Sequence, residues 1–331
     1  MQEAKVTLIV VPRERYSYTQ KSLENIYKNT DIPFELIYVD VNSPSSIKHY
    51  LEAQSQEKKF HLIRVNHFLN PNHSRNLALD FVKTEYVVFI DNDVLVKPGW
   101  LDALIKCADE TGAWIVGPLC LEGDDFAKVH IAGGSYEFKQ RGNERWMIIR
   151  RPCFRTPLSK VRIEFKRQPT QAIEFHCVLV RMDVFKELGL LDEQVMGIGQ
   201  EDDLCLTVLQ SGKPIYFEPA SVMTYVPPQT LAWSDMPFFY LRWSQAWCEV
   251  SINRLRAKWN LAEDAPVVKS YKTFIHVQTL LPEPRVQKGY SYINWIVKFK
   301  IKLLGRKIIM RLLRKLINLQ ARLNLIKSIN F

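Results

Sequence analysis

Five short and nearly uninterrupted apolar runs constrain this chain most: VTLIVV at 6–11, FELIYVD at 34–40, FHLIRV at 60–65, YVVFI at 86–90 and AWIVG at 113–117. A strand that is apolar at almost every position, rather than at alternate ones, has to be covered on both faces. Between the runs lie longer stretches with apolar residues at helical spacing. They comprise Leu23, Ile26 and Tyr27 within 17–29, a helix opened by Ser43-Pro44 and running through Leu51, Leu77, Leu79 and Phe81 within 72–83, and Leu101, Leu104 and Ile105 after Pro98. Proline sits well in a first helical turn, where its missing N–H is not needed. Alternating strands and helices predict an α/β fold with a mainly parallel sheet and helices on both faces. Such sheets bind ligands beyond the carboxyl ends of their strands.

From 121 to 170 the periodicity fades. Gly133-Gly134, a basic stretch at 139–151 and prolines at 152, 157 and 169 read as hairpins and a mobile loop. Order returns with the apolar run Cys177–Val180, a helix over 182–188, an acidic turn and helix over 199–211, and two strands near 214–217 and 221–225. Residues 234–259 read as one helix carrying Phe238, Phe239, Trp243, Trp247 and Trp259, a set that serves either as core or as a sugar-stacking platform.

Several classes drop out. No G-x-G-x-x-G follows the first strand and no G-x-x-x-x-G-K-S/T occurs, which excludes the usual dinucleotide and P-loop fingerprints. The six cysteines include no C-x-x-C pair, so they read as buried free thiols of a reducing compartment. The N-terminus MQEAKVTLIVV lacks a leader pattern, and cytoplasmic synthesis is the expectation. The net charge of +10 is concentrated: residues 291–331 hold ten Lys or Arg and no Asp or Glu, leaving 35 basic and 35 acidic residues in 1–290. A neutral body argues against nucleic acid as a partner.

The candidates for chemistry are acidic. Asp91-Asn92-Asp93 directly follows the YVVFI strand, where two carboxylates two apart suit a hard divalent cation. A D-x-D also arises as a plain acidic turn or helix cap. Gln200-Glu201-Asp202-Asp203 opens an apolar helix; three acids exceed what the helix dipole uses, so one of them reads as a general base. Asp40 closes the second strand, Arg75 follows His73-Ser74 at a helix start, and His176 precedes a strand as a hydrogen-bonded structural histidine.

The segments PRERYS, FELIYVDVNSP, SRNLAL, YVVFIDNDVLVKPGWLDAL, HIAGG, CVLVRMDVFKELGLLDE and GQEDDLCLTVLQSGKPIYFEP occur in this order. Together, over roughly 5–226, the chain resembles family 2 glycosyltransferases. The resemblance implies the Rossmann-like GT-A fold, an inverting mechanism, a nucleoside-diphosphate sugar donor and Mn²⁺ or Mg²⁺. It assigns Pro12 to the nucleotide pocket, Asp40 to the base, Arg75 to the base or diphosphate, and Asp91 to the ribose side of the metal. Asp93 is assigned as the direct metal ligand, and Glu201-Asp202 match the acid pair whose Asp is the catalytic base. The chain departs from the family in three places. Arg13-Glu14-Arg15 replaces the usual T-Y-N, the late strand SVMTY lacks the metal-ligating His, and QEDDLC is one residue shorter than E-D-x-D-L-C. Alignment on Asp203-Leu204-Cys205 makes Glu201 the base.

Residues 1–226 therefore read as the catalytic domain, 227–290 as an aromatic-rich helical extension that, with the 121–170 loop, shapes the acceptor site, and 291–331 as a basic amphipathic tail helix. Its apolar stripe comprises Ile309, Leu312, Leu316, Leu319, Leu323 and Ile326, with Arg311, Arg314, Lys315 and Arg322 on other faces. Packing on the body, a coiled coil and an anionic membrane surface all accept that pattern; the membrane satisfies both faces at once. The function expected is transfer of a sugar to a hydroxyl of a glycan or lipid-linked glycan by a peripheral membrane protein on the inner face. The rivals are a decayed nucleotide-sugar-binding scaffold and a sugar nucleotidyltransferase.

Overall fold

The computed structural model describes residues 3–227, 231–280, 308 and 311–324. In chain order the strands are β1 Val6–Val11, β2 Glu35–Val41, β3 His61–Val65, β4 Tyr86–Asp91, β5 Val94–Val96, β6 Ile115–Glu122, β7 Lys128–Ile131, β8 Ser135–Arg141, β9 Glu144–Arg150, β10 Gln168–Thr170, β11 Cys177–Arg181 and β12 Ile215–Tyr225. The helices are α1 Thr19–Lys28, α2 Ser45–Lys58, α3 Pro71–Leu79, α4 Trp100–Thr111, α5 Asp183–Leu188, α6 Gln200–Gln210, α7 Met236–Arg242, α8 Gln245–Trp259 and α9 Pro266–Leu280. A further helix, α10, covers 311–324.

The main sheet runs β10-β12-β6-β11-β4-β1-β2-β3, with β5 paired to β12 and β7 to β6. Its left half, β4-β1-β2-β3, is wholly parallel, as the apolar runs predict. Antiparallel β11 then separates β4 from the parallel pair β6-β12. Along β1 the side chains alternate between two buried layers: Val6, Leu8 and Val10 meet α1, α2 and α4, while Ile9 and Val11 join the layer of α3 and α5–α9. Both layers are apolar, which is why all six residues of β1 are apolar or small enough to be buried. Each fully buried Val, Leu or Ile contributes about 1.5–3 kcal/mol.

The structure departs from the sequence expectations in physically simple ways. Residues 214–225 form one strand with a register shift between Glu218 and Val222, because the bulge absorbs Pro219 and pairing with β6 resumes beyond it. The 234–259 stretch is two helices. Trp243 leaves the helical region, and Ser244 is extended with its Oγ accepting the Trp247 N–H, a fresh N-cap worth about 1 kcal/mol. The short β5 was not predicted, since Asp93 and Lys97 flank only three apolar residues. The aromatic residues Phe238, Phe239, Trp243, Trp247 and Trp259 are buried, so they build core and present no sugar-stacking platform.

The fading periodicity at 121–170 resolves into β7, the β8-β9 hairpin turning at Gly142 (φ 59°), and β10. All six cysteines are free, and five are buried. Within the described residues no helix is long and apolar enough to cross a membrane.

Candidate active site

Four segments meet beyond the carboxyl ends of the parallel strands: the loop after β1, the turn after β4, the approach to β11 and the start of α6. Asn92, the middle residue of the acidic turn, ties the first two together. Its Oδ1 accepts the Arg13 N–H (3.1 Å), and its Nδ2 donates to the Arg15 carbonyl (2.7 Å) and Thr19 Oγ1 (3.0 Å). The Asp91 and Asn92 N–H groups donate to the carbonyls of His176 and Val11, both at 3.0 Å. The two carboxylates are thereby aimed by backbone hydrogen bonds.

Asp91 and Asp93 have opposite surroundings. Asp91 is fully engaged: Arg75 Nη2 lies 3.2 Å from Oδ1, while His176 Nδ1 (3.0 Å) and Arg13 Nε (3.4 Å) face Oδ2. Asp93 is completely buried, and neither of its oxygens accepts a hydrogen bond among the described residues. The nearest cation is Arg15 Nε at 3.9 Å. Burial pushes the Asp93 carboxyl up to about 7, against the partial counter-pull of Arg15 and Arg13. An unpartnered buried carboxylate costs several kcal/mol if charged. Asp91, Asp93 and His176 each bring a ligand-type atom within 4.8 Å of the others, so this donor set fits a divalent cation.

Around the acids stand buried arginines. Arg75 is 2% exposed, bonds Asn72 Oδ1 (3.2 Å) and lies 4.1 Å from the centre of the Phe175 ring; burial lowers its pKa to about 10. Arg13 pairs with Glu14 at 3.1 Å and stacks on Tyr225 at 4.7 Å. Arg242, from α7, is buried, and its Nε and Nη1 have no hydrogen-bond partner among the described residues. The charges of Arg75 and Arg242 act on both Asp91 and Glu201, which links the strand exit to α6.

At α6 the three acids separate into three environments. Asp203 accepts Trp259 Nε1 (2.8 Å) and Lys258 Nζ (2.8 Å). Asp202 is buried, with Oδ1 accepting the Tyr136 hydroxyl (2.8 Å) and Oδ2 the Tyr271 hydroxyl. Glu201 is partly exposed, and its carboxylate accepts no hydrogen bond from another residue among those described. Burial first, then the negative charges of Glu174 and Asp202, raise its pKa. A cavity of about 440 Å³ opens nearby between Gly133, Gly134, Arg150, Arg151, Gln168 and Thr170. Arg151 is the link between them, since its charge acts on Glu174, Asp202 and Glu201.

Of the residues singled out from sequence, Arg75, Asp91, Asp93, Glu201 and Asp202 belong to this one buried network. Pro12 is buried at the exit of β1. Asp40 lies at the end of β2 with both oxygens engaged: Ser43 N–H and Oγ donate to it (3.1 and 2.9 Å), and Arg64 pairs with it. Sequence reasoning missed Arg242, Arg151, His130, Glu174 and the two tyrosines on Asp202. His130 lies in the HIAGG segment, whose pattern alone gives its His no role. His176 is hydrogen-bonded as expected, but its partner is Asp91 itself.

A mainly parallel sheet with an acidic pair at a central strand exit, coupled through buried arginines to a second acidic pair on a helix, defines a glycosyltransferase of the GT-A class. Residues 7–189 match the family model described as Glycosyl transferase family 2, and the chain belongs to that family. Curated relatives include the O-antigen biosynthesis protein RfbC of Myxococcus xanthus, 26% identical over 63% of this chain and 16% of the relative. A second is the GalNAc(5)-diNAcBac-PP-undecaprenol beta-1,3-glucosyltransferase of Campylobacter jejuni, 26% identical over 40% of this chain and 44% of the relative. The chain thus spans less than half the length of these relatives. Among solved structures, GalNAc-T7 with UDP, GalNAc and Mn²⁺ superposes with a TM-score of 0.54 at 14% identity, covering 82% of this chain and 54% of that one. The mannosyltransferase PcManGT of Pyrobaculum calidifontis with GDP-Man and Mn²⁺ gives 0.50 at 16% identity, covering 85% and 72%. These likenesses show the GT-A fold.

Proposed function

We propose that this glycosyltransferase is inverting and metal-assisted, and that it moves a sugar from a nucleoside-diphosphate sugar to a hydroxyl of a glycan or lipid-linked glycan. The observation that carries the reading is the buried, unpartnered Asp93 carboxylate beside Asp91, with Arg75 and Arg242 acting on both Asp91 and the partly exposed Glu201. Asp93, assisted by Asp91, would hold Mn²⁺ or Mg²⁺, which supplies charge neutralisation on the diphosphate. Arg13, Arg75 and Arg242 are placed to bind the same phosphates, with Pro12 and Asp40 on the base side.

Glu201, rather than the tyrosine-bound Asp202, takes the acceptor proton. The acceptor oxygen then bonds the anomeric carbon as the bond to the diphosphate breaks, and the nucleoside diphosphate leaves. The cavity beside Arg151 suits the acceptor. The Mn²⁺ of both structural neighbours, the UDP and GalNAc of one and the GDP-Man of the other, and the undecaprenol-linked acceptor in the name of the Campylobacter relative, support these assignments. A screen of nucleoside-diphosphate sugars with Mn²⁺ tests the reading: one donor should be slowly hydrolysed and should raise the melting temperature. A folded protein that neither binds nor hydrolyses any donor overturns it in favour of the decayed scaffold. Nucleotidyl transfer is disfavoured because the loop Pro12–Ser17 has no glycine to cradle a triphosphate.

The tail supports a membrane location for this reading. One side of α10 docks on the body: Leu313 and Ile317 reach the core, Ala321 packs with Ala246 and Trp247, and Asn318 Oδ1 accepts the Ala246 N–H (3.1 Å). That side realises packing on the body, one of the arrangements the tail pattern accepts. Leu312, Leu316, Leu319 and Leu323 nevertheless stand 51–65% exposed in one row. Arg311, Lys315 and Arg322 share the flank beside them. Arg314 lies on another face of the same helix, and Lys298, Lys300, Lys302, Arg306, Lys307 and Lys327, with Ile309 and Ile326, lie outside the described residues.

We assign this leucine row to an anionic membrane surface on the cytoplasmic side, where each cation contributes about 1 kcal/mol. The full chain should sediment with anionic vesicles at low salt, and the double substitution Leu316→Glu, Leu319→Glu should abolish this without lowering the melting temperature. Unchanged sedimentation of the folded variant excludes the row as the anchor.

A further inference from the structure

Beside the acidic turn lies a second group of ligand-type side chains, which shares only His176 with the first. His130 in β7, with Glu174 and His176 on the segment entering β11, bring one nitrogen or carboxylate oxygen each within 4.8 Å of one another. His176 has a carboxylate hydrogen-bonded at Nδ1, Asp91 Oδ2 at 3.0 Å, whereas Glu122 Oε2 stands 3.7 Å from His130 Nδ1 without a hydrogen bond. A carboxylate on one imidazole nitrogen fixes the ring and leaves the other nitrogen as a metal ligand. His176 is 1% exposed, and its Nε2 has no hydrogen-bond partner among the described residues. His130 Nε2 lies 3.6 Å from Glu174 Oε2. That separation is too long for a good hydrogen bond. It is close to the roughly 3 to 3.5 Å between two ligands that each sit about 2.1 Å from a shared ion.

We propose that His130 Nε2, His176 Nε2 and the Glu174 carboxylate bind a divalent transition-metal ion, separate from the cation at Asp93. Two imidazoles and one carboxylate select the zinc, cobalt and manganese class over magnesium. Tyr225 covers the His176 ring at 4.1 Å with 13° between planes, and Arg13 lies 4.7 Å from the centre of the Tyr225 ring, so one flank of the site is closed. His130 and Glu174 keep 14% and 10% of their side-chain surface exposed, which gives the ion an entry path and a fourth position for water or an anionic oxygen. The inference does not rest on the sugar-transfer reading.

The test uses the full chain stripped with chelator. At one equivalent of Zn²⁺, X-ray absorption at the zinc edge should count two imidazole nitrogens. Co²⁺ should give visible bands of a nitrogen-ligated site, and His130→Gln and Glu174→Gln should each weaken Co²⁺ binding at least about ten-fold. Asp93→Asn should leave those bands in place. Fewer than two imidazoles at the zinc edge overturns the proposal, as does unchanged Co²⁺ binding in either folded variant, or loss of the bands on Asp93→Asn. The zinc-edge count on the unaltered chain decides the matter if both variants fail to fold.

Discussion

Glu201→Gln is expected to lower turnover by about 10²-fold or more while donor binding is retained, because glutamine keeps the shape and removes only the proton acceptor. The expectation rests on how α6 distributes its acids. Asp203 is spent on Trp259 and Lys258, and Asp202 on two tyrosine hydroxyls, so each is already the acceptor of fixed hydrogen bonds. Of the three, only Glu201 is partly exposed and accepts no hydrogen bond from another residue among those described. Asp202→Asn should therefore act by loosening Tyr136 and Tyr271, with a smaller fall in kcat and a lower melting temperature.

Because burial and the neighbouring charges raise the Glu201 pKa, the free enzyme should gain activity with rising pH across the neutral range. That acid limb should disappear in Glu201→Gln. A fully active Glu201→Gln protein beside an inactive Asp202→Asn protein would return the base role to Asp202.

The half of the molecule built from continuous apolar strands was legible because burial on both faces leaves the sequence little choice. β1, β2 and β4 begin and end within a residue of where VTLIVV, FELIYVD and YVVFI place them. Legibility failed where a single polar contact decides the backbone. The break at Ser244 needs only one Oγ accepting one N–H, and nothing in the aromatic pattern of 234–259 announces it. The same holds at the site. Asp91, Asp93 and Glu201 lie in motifs continuous in sequence, whereas Arg242, Arg151, His130 and Glu174 enter from elements far along the chain. The acidic turn could be read, but not which of its two carboxylates the arginines occupy; Arg75 lies sixteen residues from Asp91 and Arg13 seventy-eight. The departure at Arg13-Glu14-Arg15 becomes intelligible only in three dimensions, as cations placed on Asp91 and Asp93.

Asp93→Ala should abolish Mn²⁺-dependent stabilisation by a nucleoside diphosphate and leave the fold intact. A ligand at a hundred times its Kd stabilises a protein by about 2.7 kcal/mol, so the loss is readily seen in the melting temperature. The apo protein should not suffer. Asp93 makes no hydrogen bond that alanine would forfeit, and its raised pKa means that the folded state binds more protons than the unfolded one between its ordinary value of 3.8 and about 7. Stability of the unaltered chain without metal should therefore fall as pH rises through that window, and the fall should be smaller in Asp93→Ala.

Metal binding has the opposite slope, since the cation needs the ionised carboxylate. With a pKa of about 7, the ionised fraction drops about ten-fold between pH 8 and pH 6, and apparent Mn²⁺ affinity should drop with it. Calorimetric titration of Mn²⁺ into the unaltered chain and Asp93→Ala at both pH values measures this directly. A folded Asp93→Ala protein that still gains metal-dependent stability from the nucleotide would move the cation to Asp91 and His176 and leave Asp93 as a buried acid with no ligand to explain it.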